Sequence, residues 1–298
     1  MRGIANWVAA VISAWLFAVV LPAAAQESGA VQGALTLGQE QIPLTHVYAR
    51  EVQQLPELVL EGRPLHQIAV IVTDRPIPDN MPKTSFAMSQ LASAGQIRGL
   101  SIDLDAATGA ILGGTAYLGA EYFPQFFSQT GGSSFFQADG FSLAGGELKA
   151  RLRSAEPQEL LGSEGAAPTY GFDTTVAAAV APAPKLLQTL EGDAAKQSEP
   201  RAAFKNFLDA LAAGDVAAAK AGIVANHPGQ GMMTAEGLPQ VKLMLLAGYA
   251  DADAFLADLK KVFLYETRAI LFFSAADGSS TTSMTMARED GAWKLGGE

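Results

Sequence analysis

The stretch that decides the fold is TTSMTMAREDGAWKLGGE, residues 281–298. Apolar and hydroxyl side chains alternate in its first half, so that Met284 and Met286 share one face. Alternation with a period of two is typical of a strand that buries one face. An Asp-Gly pair then predicts a tight turn, and Trp293 and Leu295 provide a matching apolar face in the next strand. The stretch therefore predicts a β-hairpin with an adaptable, sulfur-rich apolar face.

Upstream of the hairpin, the spacing of the apolar residues changes from that of a strand to that of a helix. In SEPRAAFKNFLDALAAGD, Phe204, Leu208 and Leu211 recur at i, i+4 and i+7, which predicts an amphipathic helix. A serine at its start and a glycine at its end are suitable caps. VAAAKAGIV (216–224) predicts a second helix, and DADAFLADLKKVFLY (251–265) predicts a third.

The order of these elements resembles a known superfamily. The helix that ends in Ala-Gly-Asp, the later helix before the strand TRAILFFSA, and the final Arg-Glu-Asp-Gly-Ala-Trp-Lys-Leu resemble the nuclear transport factor two-like superfamily, the cystatin-like cone of the ketosteroid isomerase type. The resemblance covers residues 198–298. It implies an α+β domain in which three helices lie against a curved antiparallel sheet that encloses a pocket. Fewer strands are evident than the full cone contains, so either residues 230–246 supply the missing strand or the cone is reduced.

The pocket that this resemblance implies has an apolar wall. Enzymes of the superfamily place polar groups such as an Asp base or an Asp–His pair inside the cone, but AILFFSA and TTSMTM contain no histidine and no carboxylate. A general base needs a titratable group in a pocket that excludes water, so no catalytic residue is assigned. His227, in the loop ANHPGQG, is a candidate for the rim of the pocket mouth. The residues expected to line the pocket are Phe204, Leu208, Phe272, Met284, Met286 and Trp293.

Residues 30–180 follow a different pattern, with short segments rich in Val, Ile, Leu, Thr and Phe between glycine-containing turns. In LSIDLD (100–105), apolar residues alternate with Ser and Asp, which is typical of an antiparallel strand with one buried face. In IPLTHVYA, the same alternation places Leu44 and Tyr48 on one face. Seven or so strands without intervening helices favour an antiparallel β-sandwich-like domain, and a partly open barrel is the alternative. APAP begins the predicted linker, residues 181–197.

The first 28 residues, MRGIANWVAAVISAWLFAVVLPAAAQES, have the pattern of an export signal. Arg2 precedes an apolar run that ends at Pro22, and three alanines follow. A positive charge, an apolar segment and a small-residue cleavage site are typical of a secretory signal peptide. The sequence therefore predicts residues 1–25 as a signal peptide, cleaved after Ala25, and a periplasmic or secreted protein without a stable membrane span. The alternative is a retained anchor, because the apolar run approaches the length that spans a bilayer.

The composition excludes several classes of chemistry. The chain has no Cys, which rules out disulfides, thiolate metal sites and cysteine nucleophiles. It carries 30 Asp and Glu against 20 Lys and Arg, a formal net charge of −10, and so acidic a chain is a poor partner for nucleic acid. Its three histidines lack metal-ligand spacing, so the sequence predicts neither a metal nor another cofactor.

These observations favour an exported, non-enzymatic envelope protein that binds an apolar small molecule or a protein partner. The first alternative is an isomerase or hydrolase that acts on a small molecule in the cone pocket. The second is a structural module that docks through the aromatic-rich residues 122–136. Such a cluster forms either an exposed patch or part of a core, and the sequence leaves both open. The residues expected on the docking surface are Tyr122, Phe123, Phe126 and Phe127.

Overall fold

The structure, a computed structural model, is a mixed α+β fold with two sheets, as the sequence predicts at this coarse level. The residues that it describes are 29–57, 63–79, 81–122, 125–127, 136–160, 168–275 and 280–296. Within these ranges, no helix combines the length and the apolar character needed to cross a membrane. The predicted signal peptide, residues 1–25, lies outside the described residues.

Eleven of the described strands pair in one sheet, and nearly all neighbours run antiparallel. Their bounds are β1 (Ala30–Leu37), β2 (Glu40–Pro43), β3 (His46–Gln53), β4 (His66–Thr73), β5 (Gly99–Asp105), β6 (Ile111–Tyr117), β7 (Gln125–Phe127), β8 (Phe136–Ala144), β9 (Glu147–Ser154), β10 (Gln158–Glu159) and β11 (Thr169–Ala181). The main order is β2-β1-β11-β3-β4-β5-β6-β7. In addition, β9 and β10 pair with β11, and β8 pairs with β9.

Strand β11 joins the two parts of this sheet. It is 13 residues long, pairs with β1 along one edge and with β9 along the other, and ends in a short parallel pairing with β3. The inward faces enclose one apolar core, in which Val70 and Leu152 have no exposed surface. The alternation predicted for LSIDLD is confirmed, because Leu100, Ile102 and Leu104 all belong to this core.

A helix interrupts the strands of this half, so the prediction of strands without helices is wrong. Helix α1 (Ser85–Ser93) begins after Thr84, whose hydroxyl accepts a hydrogen bond from a backbone amide three residues on, at 3.1 Å. Its Met88 is fully buried against a cluster that includes Tyr48, on the sheet face opposite the main core. Leu44 belongs to the main core instead. The predicted alternation across IPLTHVYA is therefore wrong, because the stretch is not one strand and is interrupted between β2 and β3.

The other five described strands form a second sheet, in which each strand pairs antiparallel with the next along the chain. Their bounds are β12 (Gln188–Glu191), β13 (Leu259–Leu264), β14 (Arg268–Ser274), β15 (Thr281–Glu289) and β16 (Ala292–Leu295). The helices of this half are α2 (Gly192–Lys196), α3 (Glu199–Ala213), α4 (Val216–Ala221), a 3-10 helix (Pro228–Met232), α5 (Leu238–Leu245) and α6 (Ala252–Ala257).

The hairpin and the first amphipathic helix lie where the sequence predicts them. Strands β15 and β16 are joined by Asp290 and Gly291, whose φ angles of 54° and 80° suit a tight two-residue hairpin turn. Helix α3 ends at Gly214, which adopts the left-handed conformation with φ 70° and so stops the helix. Phe204 of α3 has no exposed surface, and its ring lies 6.1 Å from that of Phe273 in β14. The core of this half therefore lies between α3 and the sheet.

The third predicted helix, residues 251–265, is wrong over its second half. Helix α6 ends at Ala257, and the following residues form β13. A β-bulge at the start of β13 allows Leu259 and Val262, three residues apart, to belong to the same core on the helix-covered face. A spacing of three also matches a helix, so the bulge leaves this strand with the apolar pattern of a helix.

Two further stretches differ from their predicted roles. Residues 181–197, the predicted linker, contain β12 and α2, and β12 pairs with β13 at the edge of the second sheet. Residues 230–246 contain the end of the 3-10 helix and α5, and no strand, so they do not supply a further strand. Instead, a single parallel bridge between Ile223 and Leu295 continues the sheet beyond β16.

The two halves are in contact through the second sheet. Leu55, which follows β3, packs with Phe263 and Phe272 of β13 and β14. Beside them, Lys261 Nζ lies 2.8 Å from Glu57 Oε1. The second sheet is therefore covered by helices on one face and by a segment of the first half on the other.

Candidate functional site

A cavity lies between the helices and the last hairpin of the second sheet, and its volume is about 430 Å³. Its walls come from α3, the 3-10 helix, α5, β15 and the end of β16. Helix α5 packs against α3, and the space between α5 and β15 remains open. The most enclosed of the apolar lining residues are Phe207, Ile223, Met233, Val241 and Leu295.

Apolar side chains dominate the lining of this cavity, and none of the described residues that form it is charged. Four of them are methionines, whose flexible thioether side chains adapt to irregular shapes. Met232 and Met244 are 39% and 69% exposed, so they lie where the cavity meets solvent. The cavity is therefore suited to an apolar group, and its mouth is adaptable.

Among the described lining residues, His227 carries the one titratable side chain. The sequence predicts this residue at the rim of the pocket mouth. It caps the 3-10 helix, because its Nδ1 accepts a hydrogen bond from the Gly229 amide at 2.9 Å. The preceding chain is held against β16. The Val224 amide donates to the Leu295 carbonyl at 3.0 Å, and the Leu295 amide donates to the Gly222 carbonyl at 2.8 Å. The loop that carries His227 is thus anchored on the sheet.

The hydrogen bond from Gly229 determines the protonation of the imidazole. Because Nδ1 of His227 accepts this bond, the proton of the neutral ring resides on Nε2. Burial lowers the pKa of His227 below its ordinary value, which favours the neutral ring at pH 7. The side chain is therefore a hydrogen-bond donor through Nε2–H and is poorly suited to act as a general base.

Gly296 allows the imidazole to take this position. Its φ is 101°, and a Cβ at this position would lie 2.3 Å from Cδ2 of His227. A larger residue would therefore displace the ring. The Gly296 amide also donates to the Thr285 carbonyl at 2.8 Å, which continues the pairing of the chain after β16 with β15.

Beyond this bond, no described residue pairs with the edge of β15, and we call this stretch the open edge. In an antiparallel strand, the backbone groups of alternate residues point towards the same neighbour, and those of Thr285 point towards β16. The N–H and C=O groups of Ser283 and Thr281 point the same way, and no residue that the structure describes pairs with them. The backbone groups of the even-numbered residues point the other way, towards β14. Ser280 and Arg288 show this, because both form backbone hydrogen bonds on the β14 side.

A second cavity, with a volume of about 250 Å³, continues along this edge. Met244, Leu245 and Met284 line both cavities, so these three side chains form the partition between them. Tyr249 lines the second cavity, and its hydroxyl donates to Asp258 Oδ2 at 3.0 Å. Together the two cavities form a groove between α5 and the open edge of β15, which we call the α5–β15 groove.

Of the residues predicted to line a pocket, one lies in the groove and three lie beneath it. Met284 lines both cavities. Phe204, Leu208 and Met286 have no exposed surface and belong to the core between α3 and the sheet. Phe204 and Leu208 are residues of α3 and Met286 is a residue of β15, and all three side chains face the core between the helix and the sheet.

The other two predicted residues lie away from the groove. Phe272 is on the opposite face of the sheet, where it packs with Leu55. Trp293 packs partly against the helix-side core, and its indole Nε1 donates to Glu199 Oε2 at 3.3 Å. The structure therefore brings only Met284 of the predicted set together with His227.

The sequence pattern does not identify α5 as a wall of the groove. This helix exposes Leu243 and Met244 to 73% and 69% of their surface. Neighbouring large apolar side chains that remain exposed are a signal of a binding surface. The run Val-Lys-Leu-Met-Leu-Leu carries that signal, but its pattern alone does not separate exposed from buried positions.

The aromatic-rich residues 122–136 contain two described aromatic side chains, Tyr122 and Phe136. Phe136 is 2% exposed, and its ring is stacked on another aromatic ring of the first core, with the centroids 5.3 Å apart. Tyr122 is partly buried against the same core. Phe123 and the side chains of Phe126 and Phe127 lie outside the described part of the chain. The two described side chains therefore favour the core over a docking surface.

A larger, shallow cavity of about 730 Å³ lies on the first sheet beside β1 and β11. Its lining mixes polar and apolar residues and includes the charged side chains of Arg151 and Asp173. These two side chains form a two-point ion pair with distances of 2.8 and 2.6 Å, and this hydrogen bonding lowers the pKa of Asp173 below its ordinary value. Because the two charges satisfy each other, this cavity has fewer features that select a ligand than the α5–β15 groove.

Neither metal-binding groups nor relatives identify the site. Across the described ranges, no group of three or more His, Asp or Glu side chains is placed to hold a metal ion. No protein-family model, curated protein or solved structure matches the chain. The function of the groove therefore has to be inferred from its own geometry.

Proposed function

We propose that this protein is an exported, non-enzymatic protein of the cell envelope that binds an apolar ligand in the α5–β15 groove. The observation that carries the proposal is the apolar, uncharged lining of the first cavity. Its volume of about 430 Å³ falls within the usual range of small-ligand pockets, roughly 300–1,000 Å³. An apolar group that leaves water for such a lining gains the free energy of hydrophobic burial.

We interpret the two halves as two domains. The first is a β-sandwich-like domain at residues 30–180, and the second is a cone-type α+β domain at residues 198–298. Separate apolar cores support this division, and β12 and α2 extend the second domain into the stretch 181–197. Five antiparallel strands with helices on one face support a reduced form of the nuclear transport factor two-like cone.

Export is supported by the charge, the apolar run and the small-residue site within residues 1–25. The absence of Cys from the chain means that the exported fold relies on packing and not on disulfides. Amino-terminal sequencing of the protein purified from the periplasm or the medium should begin at Gln26. A protein that retained Met1 would contradict the cleaved signal and favour the retained anchor.

A small-molecule isomerase or hydrolase is the alternative, and His227 is the observation that favours it. Its Nε2–H could stabilise negative charge on a substrate oxygen. The described lining of the first cavity offers no carboxylate or second histidine as a general base, so binding is favoured over turnover. Hydrolysis of a p-nitrophenyl ester by the wild type, lost in His227→Phe, would reverse this preference.

Two neighbouring residues of α5 provide a matched test of the binding proposal. Leu243 and Met244 are both apolar and mostly exposed, but only Met244 lines the groove. We expect Met244→Arg to weaken binding of the neutral fluorophore N-phenyl-1-naphthylamine by about tenfold or more, because it brings a charge to the mouth of an apolar cavity. Leu243→Arg adds the same charge outside the groove and should leave binding unchanged.

The affinity is measured by fluorescence titration of the full chain and both variants, and circular dichroism verifies that each variant is folded. Native mass spectrometry of the purified wild type would also detect a ligand retained from the cell. Equal affinity of the wild type and both variants would contradict the proposal. No binding by the wild type, together with no retained ligand, would contradict it as well.

A further inference from the structure

We propose that the ligand of the α5–β15 groove is an extended segment of another polypeptide, which adds to the open edge of β15 as a further strand. This inference rests on the proposed function, because it names the ligand of the same groove. The observation that carries it is the row of backbone N–H and C=O groups along one wall. An extended peptide backbone offers acceptors and donors at the matching spacing.

The open edge runs along both cavities. Ser283 lines the first cavity and Thr281 lines the second. Their backbone groups point away from β14, as the bond from the Gly296 amide to the Thr285 carbonyl indicates. A polar backbone group that loses water without gaining a partner costs free energy. An added strand would satisfy two N–H and two C=O groups at once, whereas a purely apolar molecule would leave all four unpaired.

This edge lacks the features that protect strand edges from further pairing. Residues 281–285 are Thr-Thr-Ser-Met-Thr, without Lys or Pro, and the pairing of β15 with β14 has no bulge. Natural sheets block their edges with charges, prolines, bulges or very short strands. The opposite edge of the same sheet, β12, is only four residues long and ends in Glu191. Of the two edges that the described strands leave, the β15 edge is therefore the better suited to accept a further strand.

The two cavities lie one after the other along β15, as the side chains on one face of an added strand would. Side chains on one face of a strand are two residues and about 7 Å apart. Residues 283–285 border the first cavity and residues 280–282 border the second, and Met284 is part of the partition. An added strand would therefore insert one side chain into each cavity. Since the described lining of both cavities is uncharged, the pattern of the segment is apolar–any–apolar.

A proline at Ser283 tests this inference. Ser283→Pro removes the outward N–H and leaves the pairing with β14 intact, because proline is tolerated where its missing N–H faces away from the sheet. Ser283→Ala keeps the N–H and is the matched control. The full chain is panned against a random octapeptide library, and the affinity of the enriched, fluorescein-labelled peptides is measured by fluorescence anisotropy. We expect the enriched peptides to carry apolar residues two positions apart. Their affinity for Ser283→Ala should equal that for the wild type, and their affinity for Ser283→Pro should be about tenfold lower or more.

An N-methyl scan of the best peptide gives a second test that leaves the protein unaltered. Methylation of one peptide nitrogen removes a single donor and keeps every side chain. For an added strand, binding should fall by about tenfold or more at every second position, where the N–H faces β15, and should change little at the positions between. A uniform loss, or a loss that depends only on the side chains, would contradict strand addition.

Several outcomes would overturn the inference. The library could yield no enriched peptide, or peptides that bind the wild type and Ser283→Pro equally. The chain could also dimerise through this edge, seen as a doubled mass in light scattering that Ser283→Pro returns to the monomer, and the occupant would then be a second copy. If peptides fail but N-phenyl-1-naphthylamine still distinguishes Met244→Arg from Leu243→Arg, the proposed function stands without this inference. If both assays fail, neither stands.

Discussion

The two faces of the five-stranded sheet are covered in different ways. On the helix face, Phe204 and Phe273 are buried in a continuous core, and the helices leave a groove beside the beginning of β15. On the other face, Phe263 and Phe272 pack with Leu55 of the first half. One face therefore supplies most of the stability of this half and the groove, while the other makes the contact between the halves.

The contact between the halves has an apolar centre and a charged surround. Beside Leu55, Lys261 Nζ lies 2.8 Å from Glu57 Oε1 and 3.0 Å from Glu191 Oε1. The Ala183 amide donates to a carboxylate oxygen of Glu51 at 3.3 Å. Small interfaces between domains of one chain commonly combine these features. Because both faces of this sheet are covered, a ligand that adds to the sheet would have to pair with an edge, and the groove lies beside the edge of β15.

Phe272 and Phe273 are adjacent in β14 and face opposite sides of the sheet, so their substitution compares the two faces directly. We expect these substitutions to have the largest effect on the free energy of unfolding. Phe273→Ala should lower the free energy of unfolding by about 4–5 kcal/mol, because it leaves a cavity in a dense aromatic core. The Phe273 ring is stacked on Phe255 with the centroids 4.5 Å apart. Phe272→Ala should lower it by about 3 kcal/mol, because its smaller cluster can relax more easily.

Urea denaturation followed by circular dichroism measures both losses, and amide hydrogen exchange with mass spectrometry locates them. Phe273→Ala should reduce protection in α3 and across the second sheet, whereas Phe272→Ala should reduce it around Leu55 and the neighbouring strands. If the two variants lost equal stability in the same segments, the two faces would not be energetically distinct.

Elements that depend on neighbours in the sequence were predictable. The Asp-Gly turn at 290–291 and the apolar stripe of α3 can each be predicted from a short stretch of sequence. A turn depends on its own residues, and a helical period of 3.6 is visible within a few turns. The structure confirms both, with φ 54° at Asp290 and a buried Phe204 in α3. Helix α1 was missed because its apolar stripe is short and lies among strands.

Elements that depend on distant partners were not predictable. Strand β13 has the spacing of a helix because of a bulge whose register is set by β14. The groove arises from the gap between α5 and the edge of β15, which no local pattern specifies. The sequence pattern identifies inward-facing side chains, and Phe204 and Leu208 of α3 are among them, but both are fully buried and neither lines the groove. Met284 is in the groove because it lies near the open end of β15.

Removing one charge from the contact between the halves, in Glu57→Gln, should have the smallest effect on stability. The hydrogen bond from Lys261 lowers the pKa of Glu57 below its ordinary value. A carboxyl group whose pKa is lower in the folded state adds stability above its unfolded pKa, about 4.3, and this contribution is lost as the pH falls through the folded pKa. At pH 7 the wild type should therefore melt about 1–2 °C above Glu57→Gln, a small difference because such partly exposed pairs contribute little.

Differential scanning calorimetry at pH 7 and at pH 3 measures this difference. At pH 3 the carboxyl group of Glu57 is protonated in the unfolded chain, so the advantage of the wild type over Glu57→Gln should shrink towards zero. Every other titrating group is common to both proteins, and Lys261 keeps Glu191 as a second partner at 3.0 Å in each. A difference that persisted at pH 3 would assign the contribution of Glu57 to packing against the second sheet and not to its charge.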